Sequence, residues 1–292
     1  MLHDDRQNFI SVLETTSAQT WFPLLLLEKD YYLTMVLSGI NNLSENLVFK
    51  GGTCLNKIYY SYYRLSEDLD FIMLLPSGKI SRTDKRKLIK PVKDNILSYL
   101  NSYGMAIDNI DNAGHNESSQ YIFYLDYHSV VVGNKQSIKL EVSLRFNPIL
   151  PVSRQKISHK FLHPFTNEPL FDGGQVNCLS LKELVAEKMR AAATRLTIAP
   201  RDFYDINFLI KAGFNFQDEE LWQLFKSKLS EDGFEPDLKK YRINMGRSKE
   251  EIEEMRTKIE AELLDVLTPD HRSEFDLNES LQLITDTFKN MT

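Results

Sequence analysis

Residues 49–71, FKGGTCLNKIYYSYYRLSEDLDF, decide how the chain is read. Gly51, Gly52 and Thr53 follow a short apolar run, and Asp68 and Asp70 close the stretch one residue apart. In a strand, side chains at i and i+2 project from one face, so Asp68 and Asp70 point one way and Leu69 and Phe71 the other. Two carboxylates a few ångströms apart repel, and one takes up a proton unless a cation sits between them. Mg²⁺ suits that place, because it takes hard oxygen ligands and leaves positions open for phosphate oxygens. Adjacent glycines at a strand-to-helix junction permit φ > 0 and let backbone N–H groups approach a phosphate. Each feature alone is weak: an Asp-x-Asp is often a solvated strand end, and Gly-Gly an ordinary tight turn. Together they are the equipment of nucleotidyl transfer.

Outward from this stretch, composition sets the frame. The 292 residues fit one large domain or two ordinary ones, and 42% hydrophobic with 11% aromatic residues supports a packed core. Cys54 and Cys178 have no metal-type spacing, and a reduced, cytoplasmic setting is the simplest expectation. The N-terminus is polar and acidic, with no signal peptide, and the apolar run 21–27 is too short to span a bilayer. Six histidines without an HExxH pattern argue against a zinc enzyme. A formal charge of -6 argues against indiscriminate coating of nucleic acid, while leaving room for a local basic groove.

The expected elements are helices over 3–16 and 20–40, a short strand over 47–49, and a helix within 53–63 that starts at the glycines. A strand over 68–75, a basic helix over 83–101 and strands over 105–110 and 120–127 follow. Residues 137–145, SIKLEVSLR, alternate strictly, with Ile138, Leu140, Val142 and Leu144 facing the core. A further strand is expected over 153–161. A turn-rich stretch, 164–177, marks the boundary between an N-terminal α/β domain over 1–175 and a helical domain over 176–292. Helices are expected there over 180–197, 201–212, 217–230, 249–267 and 276–290. The fold class is α+β: a mixed sheet with helices, followed by a C-terminal helical domain.

Glu141, on the polar face of the alternating strand, is the natural third carboxylate of a two-metal site. The plainer alternative is a surface Glu paired with Lys139 or Arg145. In the basic helix, Lys79, Arg82, Lys85, Arg86, Lys87, Lys90 and Lys93 fall within fifteen residues, against Asp84 and Asp94. That is either a phosphate-backbone contact or a charged solvated face. Arg201 and Asp205 are one helical turn apart, which suggests an internal salt bridge, and Asp202 suits a helix N-terminus. Lys188 and Arg195 share a helix face.

The blocks Glu28-Lys29-Asp30-Tyr31, FKGGTCLNK at 49–57, RLSEDLDF at 64–71, LKELVAEKMRAAATR at 181–195 and PRDFYDI at 200–206 resemble the AbiEii/AbiGii toxin family of nucleotidyl transferases. That family belongs to the DNA polymerase β-like superfamily and supplies toxins of type IV toxin–antitoxin and abortive-infection (antiviral) systems. The resemblance implies that Gly52-Thr53 stands where the superfamily has a Gly-Ser turn, that Asp68 and Asp70 are the metal-binding pair, and that Glu141 is the third acid, where many members carry Asp. It assigns Lys188 and Asp205 to catalysis, and Lys188, Arg201 and Asp202, with Gly51, Gly52 and Thr53, to nucleotide binding. Arg64 and Ser66 flank the metal pair as further phosphate contacts. Lys29 and Asp30 take a structural or site-rim place, or else lie on a helix surface. The expected cofactor is Mg²⁺ or Mn²⁺, and the substrate a nucleoside triphosphate. Some relatives modify the 3′ end of tRNA and block translation, which makes tRNA the expected acceptor, and a cognate antitoxin is the expected partner, with no need for direct contact. Two alternatives stand beside this: a protein-modifying nucleotidyl transferase, and a nucleotide-binding regulator without chemistry.

Overall fold

The alternating segment becomes β6 (Lys135–Ser143), the middle of the wider side of one mixed sheet. The other strands are β1 (Leu47–Lys50), β2 (Asp68–Met73), β3 (Ala106–Ile107), β4 (Gly114–His115), β5 (Gln120–His128), β7 (Ser153–Lys156) and β8 (Gln175–Cys178). The computed structural model describes residues 1–238, 241 and 247–289. The strand order is β3-β5-β6-β2-β1-β8-β7, with β4 paired to β5. Strands β2 and β6 run parallel, as do β1 and β8, while β1–β2 and β5–β6 are antiparallel. The chain divides into two units, Met1–Ser180 and Leu181–Thr292.

In the first unit, α1 (Arg6–Thr20) is capped by the Asp5 side chain, and α2 (Leu24–Gly39) is apolar on nearly all sides. Helix α2 covers one face of the sheet, where Tyr32 stacks on Tyr127 of β5 with ring centroids 4.3 Å apart. Helix α4 (Arg82–Asn101) starts with a Ser81/Asp84 capping box and buries Ile89, Val92, Ile96 and Leu100. It lies beside α2, with the Tyr99 hydroxyl donating to the Val36 carbonyl at 2.5 Å. Leu69 and Phe71 of β2 and Leu140 and Val142 of β6 are buried, whereas Asp68, Asp70, Lys139 and Glu141 are only half-buried. The strand alternation therefore sends one set to the core and the other to the opposite face.

Several boundaries differ from expectation. The first helical stretch runs to Thr20, and the second starts at Leu24. Trp21 adopts a left-handed conformation (φ 63°), and Pro23 disfavours helix at the residue before it. The helix at the glycines is short, α3 (Gly51–Cys54), and passes into a π turn over Leu55–Tyr59. Strands expected over 105–110 and 153–161 shrink to Ala106–Ile107 and Ser153–Lys156. The stretch 164–177, expected to be turns, ends in β8, whose Val176 and Cys178 are buried and whose Cys178 lies beside Phe49 of β1.

The second unit is helical: α5 (Leu181–Thr194), α6 (Pro200–Lys211), α7 (Glu219–Glu231), α8 (Lys249–Glu262), α9 (Pro269–Ser273) and α10 (Leu277–Lys289). The helix expected over 249–267 stops at Glu262, and a 3₁₀ turn, Leu264–Val266, follows. The expected end of the last helix at residue 290 lies outside the described residues. Among the described residues, no helix is long and apolar enough to cross a membrane.

Candidate active site

Parallel pairing of β2 with β6 sets Asp68 opposite Lys139 and Asp70 opposite Glu141. Antiparallel pairing of β1 with β2 sets Lys50 opposite Asp70. Three acids and two lysines thus occupy neighbouring positions on one face. The chain leaves β1 through Gly51, which is left-handed (φ 78°), and a side chain there would collide with Asp70 Oδ2 and meet its Cβ at 3.1 Å. At Gly52 an added Cβ would lie 2.6 Å from Arg64 Nη2 and 3.5 Å from Ser66 Oγ. Glycine at both positions keeps the turn against the aspartate strand and its approach segment. The buried Thr53 hydroxyl donates to the Asp68 carbonyl at 2.5 Å and lies 2.8 Å from Ser66 Oγ, tying the turn to the start of β2. Arg64 is buried, donates from Nη1 to the Leu65 carbonyl at 2.7 Å, and stands 5.6 Å from the Tyr63 ring centroid. Gly51, Gly52, Thr53, Arg64, Ser66, Asp68, Asp70 and Glu141 therefore gather in one neighbourhood.

The electrostatics differ from one acid to the next. Burial pushes the Asp70 carboxyl up to about 6; the Lys50 charge opposes this, and the Glu141 and Asp68 charges add to it. At Glu141 burial also works upward, but the hydrogen bond and charge of Lys139, helped by Gln120 and Lys50, overcome it and hold the carboxyl below its usual range. Lys139 Nζ sits 2.8 Å from Glu141 Oε2, and Gln120 Nε2 donates to Oε1 at 2.7 Å. Both Glu141 oxygens are thus engaged, as the plainer alternative anticipated in the case of Lys139. Among the described residues no three His, Cys, Asp or Glu side chains converge as a metal cluster. The donor types nevertheless suit a hard divalent cation. Asp68 and Asp70 share a strand face, Asp70 carries a carboxylate short of positive charge, and Glu141 stands in register beside it.

Lys50, Lys139 and Gln120 are the neighbours that the sequence did not single out for the site. Lys139 had a signal, since it lies two residues from Glu141 on the same strand face. Gln120 and Lys50 reach the site only through strand pairing, which no local pattern reveals. Replacing Gly51 with Ala forces a left-handed non-glycine residue against Asp70. Transfer by Gly51→Ala is expected to fall by about 10²-fold, the usual cost of displacing a reacting group by an ångström. Steady-state kinetics of the folded variant checks this.

In the helical unit, α5 and α6 bring together Lys188, Arg195, Asp202 and Asp205. Lys188 Nζ lies 2.9 Å from Asp202 Oδ1 and 2.7 Å from Asp205 Oδ2, and Arg195 Nη1 lies 2.8 Å from Asp202 Oδ2. Asp202 and Asp205 are buried and Arg201 is half-buried. The ion pair of Asp205 is thus with Lys188 on the neighbouring helix, rather than the one expected one turn away with Arg201. Lys188→Ala leaves two buried carboxylates short of a partner, and is expected to cost about 3 kcal/mol. Thermal melting of this variant should show a lower midpoint; an unchanged midpoint would mean that the pair does not hold α5 to α6. The neighbouring Glu187 points elsewhere, toward Lys228, which also pairs with the buried Glu183 at 2.8 Å.

A strand-borne aspartate pair behind a glycine turn, on a mixed sheet followed by helices, is the arrangement expected of a nucleotidyltransferase. The chain belongs to the AbiEii family: residues 36–279 match its model, described as the nucleotidyl transferase AbiEii toxin of type IV toxin–antitoxin systems. No curated protein matches the sequence. Solved structures share the fold. MenT4, a nucleotidyltransferase toxin from Mycobacterium tuberculosis, aligns with a TM-score of 0.56 and 16% identity over 92% of this chain and 84% of its own. A candidate nucleotidyltransferase from H. pylori aligns at 0.53 and 18% identity over 91% and 93% of the two chains. JHP933 from Helicobacter pylori aligns at 0.50 and 19% identity over 92% of each.

Proposed function

We propose that this nucleotidyltransferase is a metal-dependent toxin that transfers a nucleoside monophosphate from a nucleoside triphosphate to the 3′ end of tRNA and thereby blocks translation. The observation that carries the proposal is the register of β2 against β6, with Asp70 beside Glu141 and Asp68 on the same face of the strand. Asp68 and Asp70 would hold Mg²⁺ or Mn²⁺, with Glu141 joining them once it exchanges Lys139 for the cation. A divalent ion held there stabilises negative charge on the transferring phosphoryl group and its leaving group.

The residues of the chain do the rest. The turn at Gly51 and Gly52 presents backbone N–H groups to the triphosphate, and Arg64 and Ser66 support that turn from beneath. Lys139 and Lys50 supply positive charge next to the acids. Lys188, Asp205, Asp202 and Arg201 are assigned to the nucleotide by family resemblance. In the reaction, the acceptor hydroxyl oxygen forms a bond to the α-phosphorus while the bond to the β-phosphate oxygen breaks. Pyrophosphate leaves, and the hydroxyl proton passes to solvent. A cognate antitoxin counters this activity without needing to touch the toxin.

Sequencing of tRNA 3′ ends after incubation with the purified protein, Mg²⁺ and the four nucleoside triphosphates tests the proposal. Added nucleotides on tRNA are the expected result. Unaltered tRNA, with the nucleotide found instead on protein side chains, would overturn the choice of acceptor and leave transferase chemistry in place.

A further inference from the structure

An open groove of about 630 Å³ runs between α4 and the loop that joins β4 to β5. Its helical wall carries Arg82, Arg86, Lys90 and Lys93. Spacings of four, four and three residues align them in one stripe. Arg82, Arg86 and Lys90 are exposed, while Ile89 beneath them is buried. On a chain of net charge -6 this stripe is a local exception.

The opposite wall is unusual backbone. Asn116, Glu117 and Ser118 are all left-handed, with φ of 49°, 54° and 66°. Three such non-glycine residues in a row are strained, and strain of this kind persists where surrounding contacts fix it, often at ligand-binding sites. Arg86 Nε donates to Ser118 Oγ at 3.3 Å, and the Ser119 N–H donates to the Asn116 carbonyl at 3.0 Å. Asn116 Nδ2 donates to Gln120 Oε1 at 2.7 Å, and Gln120 Nε2 donates in turn to Glu141. Two hydrogen bonds therefore join the groove wall to the third carboxylate. Tyr121 lines the groove from the core face of β5, while Gln120 reaches Glu141 from the other face, so the loop rounds the end of the strand between groove and acids.

Asp94, Asp111 and Glu117 also border the groove. Asp94 pairs with Lys90 across one helical turn, and an exposed pair of this kind is weak in water. These interspersed acids disfavour a ligand of concentrated charge, such as a free triphosphate. They tolerate a chain that presents one charge per nucleotide to successive cations.

We propose that this groove holds the phosphodiester backbone of the RNA acceptor. The proposal rests on RNA being the acceptor, as proposed above. The test compares the full-length protein with Arg82→Gln/Lys90→Gln/Lys93→Gln, and with a control, Lys85→Gln/Lys87→Gln, that removes charge from other faces of α4. Filter binding of total bacterial tRNA is measured from low to moderate salt, alongside binding of labelled nucleoside triphosphate, with circular dichroism to verify the fold.

The groove variant is expected to bind RNA roughly 10- to 100-fold more weakly, with a salt slope shallower by about one for each lost phosphate contact. Its triphosphate affinity should be unchanged, and the control should bind RNA nearly as the parent does. Equal RNA affinity and slope in parent and groove variant would overturn the groove while leaving RNA as the acceptor. Equal weakening in the control would overturn it too, by making the effect one of overall charge. Lost triphosphate binding with RNA binding retained would make the groove a nucleotide site and overturn the proposal. A parent protein that binds no RNA would overturn both this proposal and the choice of acceptor.

Discussion

Asp70→Asn is expected to lower nucleotidyl transfer by about 10³-fold or more, because under the proposed function Asp70 would hold the divalent cation, a contact worth several kcal/mol at the transition state. The same change should make the protein more stable at neutral pH. In the fold, the Asp70 carboxyl is raised from 3.8 to about 6, first by burial and then by the charges of Glu141 and Asp68 against that of Lys50. A carboxyl whose pKa is higher folded than unfolded binds its proton more tightly in the fold. Ionising it therefore costs stability: the cost is absent below about pH 4, grows as pH rises, and is complete above about pH 6. At 1.36 kcal/mol per unit, discounted for the partial exposure of the side chain, this cost is on the order of 2 kcal/mol. The melting midpoint of Asp70→Asn should thus match the parent near pH 4 and exceed it by several degrees at pH 7. A divalent cation should raise the parent's midpoint and leave that of the variant nearly unmoved. Melting curves across pH, with and without Mg²⁺, check both statements. A variant less stable than the parent at pH 7 would show that Asp70 is not held at an electrostatic cost.

Lys57→Met is expected to destabilise the first unit by about 3–5 kcal/mol, the usual result of removing one partner of a buried ion pair. Lys57 and Asp30 are both fully buried, with Nζ 2.6 Å from Oδ1. Lys57 also donates to Thr34 Oγ1 at 2.8 Å and to the Tyr62 hydroxyl at 2.5 Å, and Tyr62 donates to Asp30 Oδ2 at 2.7 Å. Burial lowers the pKa of the Lys57 ammonium even against the pull of Asp30. Such a cluster is costly to assemble and more costly to leave half-built. Asp30→Leu/Lys57→Met should recover most of the loss, since Tyr62 keeps the Ser158 carbonyl at 3.2 Å as a partner. A denaturant titration of the two single variants and the double variant checks this. Additive losses would mean that the two side chains do not act as a pair.

The aspartate face was legible in the sequence because a strand period of two fixes which side chains share a side. The same holds for Glu141 in SIKLEVSLR. That Asp70 would lie opposite Glu141 was not legible. It depends on the parallel register of two strands separated by about sixty residues, which local patterns do not encode. The hold of Lys139 and Gln120 on Glu141 is a matter of rotamer and strand pairing, and Gln120 carried no signal at all. Strand β8 escaped because QVNC is four residues long and two of them are polar, so its burial comes from its neighbours rather than its own pattern. Asp30 and Lys57, 27 positions apart, looked like helix surface and motif flank, since a charge beside apolar residues reads as exposed unless its partner is known. Lys29 is half-buried, with Nζ 3.0 Å from Glu67 at the approach to β2. Cys54 and Cys178, remote in sequence, meet in the core, where their hydrogen bond brings the Cys178 thiol to about 7 despite burial.

The most direct test of the central claim is label transfer from each α-³²P nucleoside triphosphate to total bacterial RNA in the presence of Mg²⁺, with the parent protein and with a folded Asp68→Ala/Asp70→Ala variant side by side. The account predicts label in a tRNA-sized band from the parent and none from the variant. Equal labelling by both proteins, or none by the parent in RNA or in lysate protein, would contradict it.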